Sequence, residues 1–244
     1  MFKEIFAFEL KYRVRRPATW LYFLVLFLFF CISAIYGGVP GSRKAFVNSS
    51  YVYHSMLALV SIFGVMFSSA IMGVPVYRDI EHDTRGYLLT YPIRERSYLL
   101  GRFAGSFVVL VFVCLGAVLG LTVGSWLGPV FGQTDADRFG PQPWFQIGNA
   151  VVLLLVPNLF LTGTIFFSLV ALTRKIFVAY AGSILFFIAY LVAATLTSDI
   201  EQRSLANLLD PFAFTTFGHL SRYWTPAEQN VESARLTGAF LWHR

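Results

Sequence analysis

Charge is what this sequence has least of. Of its 244 residues, 13% are Asp, Glu, Lys or Arg, where an ordinary soluble domain carries roughly 25%. With 57% hydrophobic residues beside so few charges, a soluble fold of this length could not hide its Phe, Leu and Val behind a polar surface. Cysteine is nearly absent. The two present, Cys31 and Cys114, sit inside apolar runs and read as packing or lipid-facing residues, not as a disulfide or metal site. No G-x-x-x-x-G-K-[ST] occurs, so the chain lacks a P-loop to cradle nucleotide phosphates. No H-E-x-x-H occurs, and the four histidines (His54, His82, His219, His243) are scattered, which disfavours metal ligation. The serines fit no nucleophile-elbow pattern. We therefore expect neither enzyme chemistry nor a bound cofactor. The formal charge of +6 lies beside apolar runs instead of forming one patch, which suits membrane topology better than nucleic-acid binding.

What the chain has in abundance is long apolar runs. Five are candidate spans, at about residues 20–36, 55–76, 103–127, 145–172 and 176–196, and none holds an Asp, Glu, Lys or Arg in its interior. A helix needs on the order of 20 such residues to cross a bilayer, and backbone groups in lipid must be satisfied within the segment. A barrel would need alternating segments of about ten residues, and these runs do not alternate. The expected fold is an all-α, polytopic helical membrane protein forming one membrane domain over 1–244. The lack of mid-membrane charge disfavours ion-coupled carriage. With the N-terminus inside, twelve Lys and Arg fall on the inner segments and six on the outer, which favours that orientation.

Residues 1–19 place Phe2, Ile5, Phe6 and Leu10 on one helical side and Lys3, Glu4, Lys11 and Arg15 on the other. This favours an interfacial elbow helix with its basic side toward anionic lipid, the alternative being a basic flank that only sets topology. In the fourth run Asn149, Pro157 and Asn158 mark a kink, which either lines a substrate path or serves helix packing. Residues 198–235 predict short helices outside the membrane, with a capping box from Thr225 to Glu228 and Pro226 in the first turn.

One segment breaks the pattern: "YRDIEHDTRGYLLTYPIRERSYLLGRF", residues 77–103. Its polar start gives way to Leu88 and Leu89, and Thr90 and Pro92 then open a possible short helix from Ile93 to Gly101. Tyr98, Leu99 and Leu100 are expected to pack inward. An apolar stretch within a charged connector suits a docking element, while a topology-setting basic loop remains the alternative. This segment resembles the first cytoplasmic loop of bacterial ABC transporter permeases of the type-2 exporter class, in its Arg-Asp-x-Glu start, its Thr-x-Pro-Ile centre and its Tyr-Leu-Leu-Gly-Arg end. "LDPF" and "RYWTPAEQN" resemble the outer segment of a subgroup fused to a zinc aminopeptidase-like domain.

The resemblance implies six transmembrane helices, of which five are visible, so a chain truncated before the sixth is expected. It also implies an ATPase-docking surface on Asp79, Glu81, Thr84, Thr90, Pro92, Ile93, Arg94 and Arg96. The implied partners are a cytoplasmic P-loop ATPase subunit, which would use the ATP, and a second permease half, as a homodimer or with a paralogue. The implied place is the bacterial inner membrane, with the N-terminus cytoplasmic. The competing reading is a non-transporting membrane anchor, an assembly factor or an inactive permease fragment.

Overall fold

The computed structural model describes residues 2–82, 94–132, 134–196 and 210–234. Among these there are helices and no strand: α1 (Phe2–Val14), α2 (Pro17–Ile35), α3 (Ser50–Met72), α4 (Val74–Glu81), α5 (Glu95–Phe131), α6 (Trp144–Ala150), α7 (Val156–Thr173), α8 (Ile176–Leu196), α9 (Phe214–Leu220) and α10 (Pro226–Val231). Five stretches are long and apolar enough to cross a membrane: Pro17–Ile35, Ser50–Glu81, Glu95–Phe131, Trp144–Thr173 and Ile176–Thr195. They coincide with the five expected runs. The chain is a polytopic all-α membrane protein.

Prolines explain where the helices break. Pro17 ends α1 and opens α2, because the residue before a proline is driven out of the helical region while proline itself suits a first turn. The side chains of Thr19 and Trp20 then reach back to the carbonyls that α1 leaves open, those of Arg13 (2.9 Å) and Val14 (2.8 Å). Pro75 sits in the first turn of α4, just after the Gly73 junction with α3, where its missing N–H is tolerated. In the fourth span, Pro157 has no N–H for the carbonyl of Leu153, and the turn before it relaxes into a π-helix over Val151–Leu155.

The chain divides into two compact units. The first comprises Met1–Tyr22, Phe63–Val113 and Leu159–Ile188. Small residues bring its helices together: a Cβ added at Gly101 would lie 2.9 Å from the Ile5 side chain, and one at Gly105 would lie 2.8 Å from that of Glu9. Ser68 and Thr162 share a hydrogen bond of 2.8 Å between α3 and α7. Phe103 stands edge-on to Phe160 and Phe167.

The second unit comprises Phe23–Ile62, Cys114–Asn158 and Ala189–Arg244. Here the backbones of α2 and α5 touch. A Cβ at Gly120 would fall 2.3 Å from the Phe27 carbonyl oxygen, and one at Gly124 would fall 2.4 Å from that of Cys31. Glycines spaced by four residues allow this approach, as they do in other membrane helix pairs.

Further along the same unit, Ala58, Leu154, Ala213, Phe217 and Ala234 form a buried cluster. His54 sits beside it, stacked on Phe217 and hydrogen-bonded to Asn149 (3.0 Å). Asn158 donates to the Phe212 carbonyl (3.0 Å). Asn149 and Asn158 thus bond to other chain segments.

The outer helices obey their local signals. The side chain and backbone of Thr225 form the expected capping box with Glu228. Before α9, the buried Asp210 carboxylate accepts from the backbone N–H groups of Phe212 (3.0 Å) and Thr215 (2.5 Å). Burial nonetheless holds its pKa above the ordinary carboxylate value, against the pull of those N–H groups. Gln229 and Asn230 accept from the backbone of Ser42 and Phe46 and so tie α10 to the loop after α2.

Two expectations for the polar segment need correction. Residues from Glu95 onward do not form a separate short helix but run unbroken into the third span, because nothing between Glu95 and Phe103 terminates a helix and a lone Gly101 is tolerated. Leu99 and Leu100 do not pack inward either; both are exposed.

Candidate functional site

The first unit contains a buried cluster of ions, and each member arrives there for a local reason. Glu9 and Arg13 are one turn apart on α1, so both face the same way. Arg78 and Asp79 come from α4, whose direction is set by the Gly73-Val74-Pro75 break after α3. Tyr98 and Arg102 are four residues apart near the start of α5. Gly105, one turn further on, admits α1 closely enough for the groups to meet.

Glu9 is fully buried and lies at the centre. Its Oε1 accepts from Arg13 Nε at 2.8 Å. Its Oε2 accepts from Arg78 Nη2 at 2.9 Å and from Arg102 Nη1 at 2.5 Å. Arg102 also reaches Asp79 through Nη2, at 3.0 Å to Oδ1 and 2.7 Å to Oδ2. The Tyr98 hydroxyl donates to Asp79 Oδ2.

Aromatic faces complete the enclosure. The Arg78 guanidinium lies 4.1 Å from the Tyr12 ring centre, and that of Arg102 lies 5.3 Å from Phe8. Contacts of this kind add to the attraction when the cation is desolvated.

Pro75 contributes in a second way. It cannot donate to the carbonyl four residues earlier, that of Ile71. Arg13 Nη2 takes the vacated place and donates to Ile71 O at 2.7 Å.

The electrostatics follow from the composition of the cluster. Burial pushes the Glu9 carboxyl up, but the guanidinium groups of Arg13, Arg78 and Arg102 outweigh that and hold its pKa below the ordinary value. Three guanidinium groups face two carboxylates, so the cluster carries one positive charge in excess. Among the described residues, Arg78 Nη1 and Arg102 Nε find no acceptor.

Such a cluster adds little net stability over an apolar core, yet removing one member is costly because it strands the rest. All four carboxylate oxygens of Glu9 and Asp79 already accept from guanidinium groups. The arrangement therefore holds α1, α4 and the start of α5 together.

The residues expected to dock a partner divide into three groups. Asp79 is buried in the cluster and turned toward Arg102 and Tyr98, so it is not part of an exposed surface. Glu81, Arg94 and Arg96 are exposed at the two ends of the polar segment. Thr84, Thr90, Pro92 and Ile93 lie outside the described residues.

Among the members of the cluster, Glu9, Arg13, Arg78, Tyr98 and Arg102 were not among the site residues expected from the sequence. The available signal was the shared four-residue spacing of Ile5, Glu9 and Arg13 with Gly101 and Gly105. Among the described residues, no group of three or more His, Cys, Asp or Glu could hold a metal ion.

A comparison with curated proteins finds no match. A comparison with solved structures also finds none. The family model described as ABC-2 family transporter protein matches residues 6–194, a range that includes every member of the buried cluster. Since that match covers well over half of the 244 residues, the chain belongs to the ABC-2 family of transporter proteins.

Proposed function

We propose that this membrane subunit couples to a separate cytoplasmic ATPase through residues 77–103, and that the buried cluster is the joint that transmits the motion. The observation that carries the reading is that Arg102 is bonded at once to Glu9 of α1 and Asp79 of α4. The helices that enter and leave the polar segment are thereby pinned to each other and to α1. A displacement applied to that segment moves α1, α4 and the start of α5 as one body, which a remote energy source requires of a two-state transporter.

Exposed Glu81, Arg94 and Arg96 supply charge for a partner's rim, and Ile93 supplies an apolar anchor. On this reading the N-terminus faces the cytoplasm, the membrane is the bacterial inner membrane, and a second permease half completes the path.

The test is co-purification of the cognate ATPase with wild type and with Ile93→Asp at matched membrane levels. Burying an unpaired carboxylate in the partner's cleft costs a few kcal/mol, which lowers recovery at least about tenfold. Equal recovery would leave the segment a connector that only sets topology.

A further inference from the structure

We infer that the outward side of α1 is a binding site for the phosphate of an anionic phospholipid. A cavity of about 480 Å³ opens there, lined by Phe8, Lys11, Tyr12, Arg15 and Arg16. Lys11 comes from α1, and Arg15 and Arg16 from the turn that follows it, so three cations line one cavity. Lys11, Arg15 and Arg16 are exposed, and among the described residues no carboxylate forms an ion pair with any of them.

Tyr12 orients the site. The Arg16 guanidinium lies 4.6 Å from its ring centre and donates to its hydroxyl. Arg78, a member of the cluster with a positive excess, also lies against that ring, 4.1 Å from its centre. The cluster's excess charge therefore adds to that of the three cations lining the cavity.

Two features select a lipid over a soluble anion. The cavity wall includes Phe8, a residue that is 53% exposed. The site also ends where α2 begins, and Trp20 and Leu21 are exposed apolar residues there. A headgroup phosphate among the three cations would let its acyl chains continue along that apolar surface, as for basic interfacial helices. A free phosphate gains nothing from it.

The test is thermal unfolding of the full chain in neutral detergent, titrated separately with phosphatidylglycerol, phosphatidylcholine and inorganic phosphate. The expected result is saturable stabilisation by phosphatidylglycerol alone. For a variant combining Lys11→Gln, Arg15→Gln and Arg16→Gln, the half-saturating concentration should rise about a hundredfold, at about fivefold per cation. Should that variant fail to fold, the three single variants, each expected to shift about fivefold, carry the same comparison. An unchanged phosphatidylglycerol response in the variants overturns the site. Equal stabilisation by inorganic phosphate overturns the lipid as its source, and equal stabilisation by phosphatidylcholine overturns the role of charge.

Discussion

Changing Glu9→Gln tests whether the cluster is one interacting unit. Glutamine keeps the shape and one acceptor oxygen, but it places an NH2 group where Oε2 now receives Arg78 and Arg102. Three guanidinium groups then share one carboxylate, that of Asp79. Removing one partner from a buried ionic arrangement costs roughly 3–5 kcal/mol, or about two to three and a half powers of ten in the unfolding equilibrium. Arg78→Met removes one of the stranded cations and restores the original excess of one positive charge. The double variant should therefore be more stable than the sum of the single effects predicts. The assay is equilibrium unfolding in mixed detergent micelles, read as a double-mutant cycle. Coupling within a network amounts to roughly 0.5–3 kcal/mol, whereas independent sites add within about 0.5 kcal/mol. Additivity would refute the claim that Glu9 and Arg78 share one network.

The same carboxylate fixes a pH dependence. Because the folded pKa of Glu9 is lowered from its ordinary 4.5, its stabilisation is complete above that value and is lost as pH falls through the folded value. Acid unfolding curves should show this loss in wild type and not in Glu9→Gln. Gly120→Ala should destabilise by about 1–3 kcal/mol, since the new methyl meets the Phe27 backbone. Gly148→Ala, where a Cβ meets nothing within 4 Å, should be neutral or slightly stabilising in the same assay. For orientation, single cysteines at Ser42 and Ser97 in a Cys-free background are treated with an impermeant thiol reagent on intact cells. Labelling at 42 and not at 97 is expected, and the reverse would invert the topology.

The five spans were legible because hydropathy over twenty residues needs no knowledge of neighbours. The capping box at Thr225 was legible for the same reason, since its two bonds join residues three apart. The cluster was not. Glu9 reads as one more polar residue of an interfacial helix until Gly105, almost a hundred positions later, is known to lie against it. Asp79 read as surface because charge beside a span ordinarily meets water, and here Arg102 meets it instead. The contact between α2 and α5 was visible in principle from Gly116, Gly120 and Gly124. Spacing alone does not say which helix fills the gap. Leu99 and Leu100 were assigned inward by hydrophobicity, a rule that fails where the surroundings can themselves be apolar.

The bond from Arg13 to the Ile71 carbonyl has a consequence for how the junction between α3 and α4 is held. In an uninterrupted helix that carbonyl would be held by its own chain. Here proline has vacated the position and a side chain from α1 fills it from outside. The second span therefore borrows one of its backbone hydrogen bonds from the helix that precedes the first.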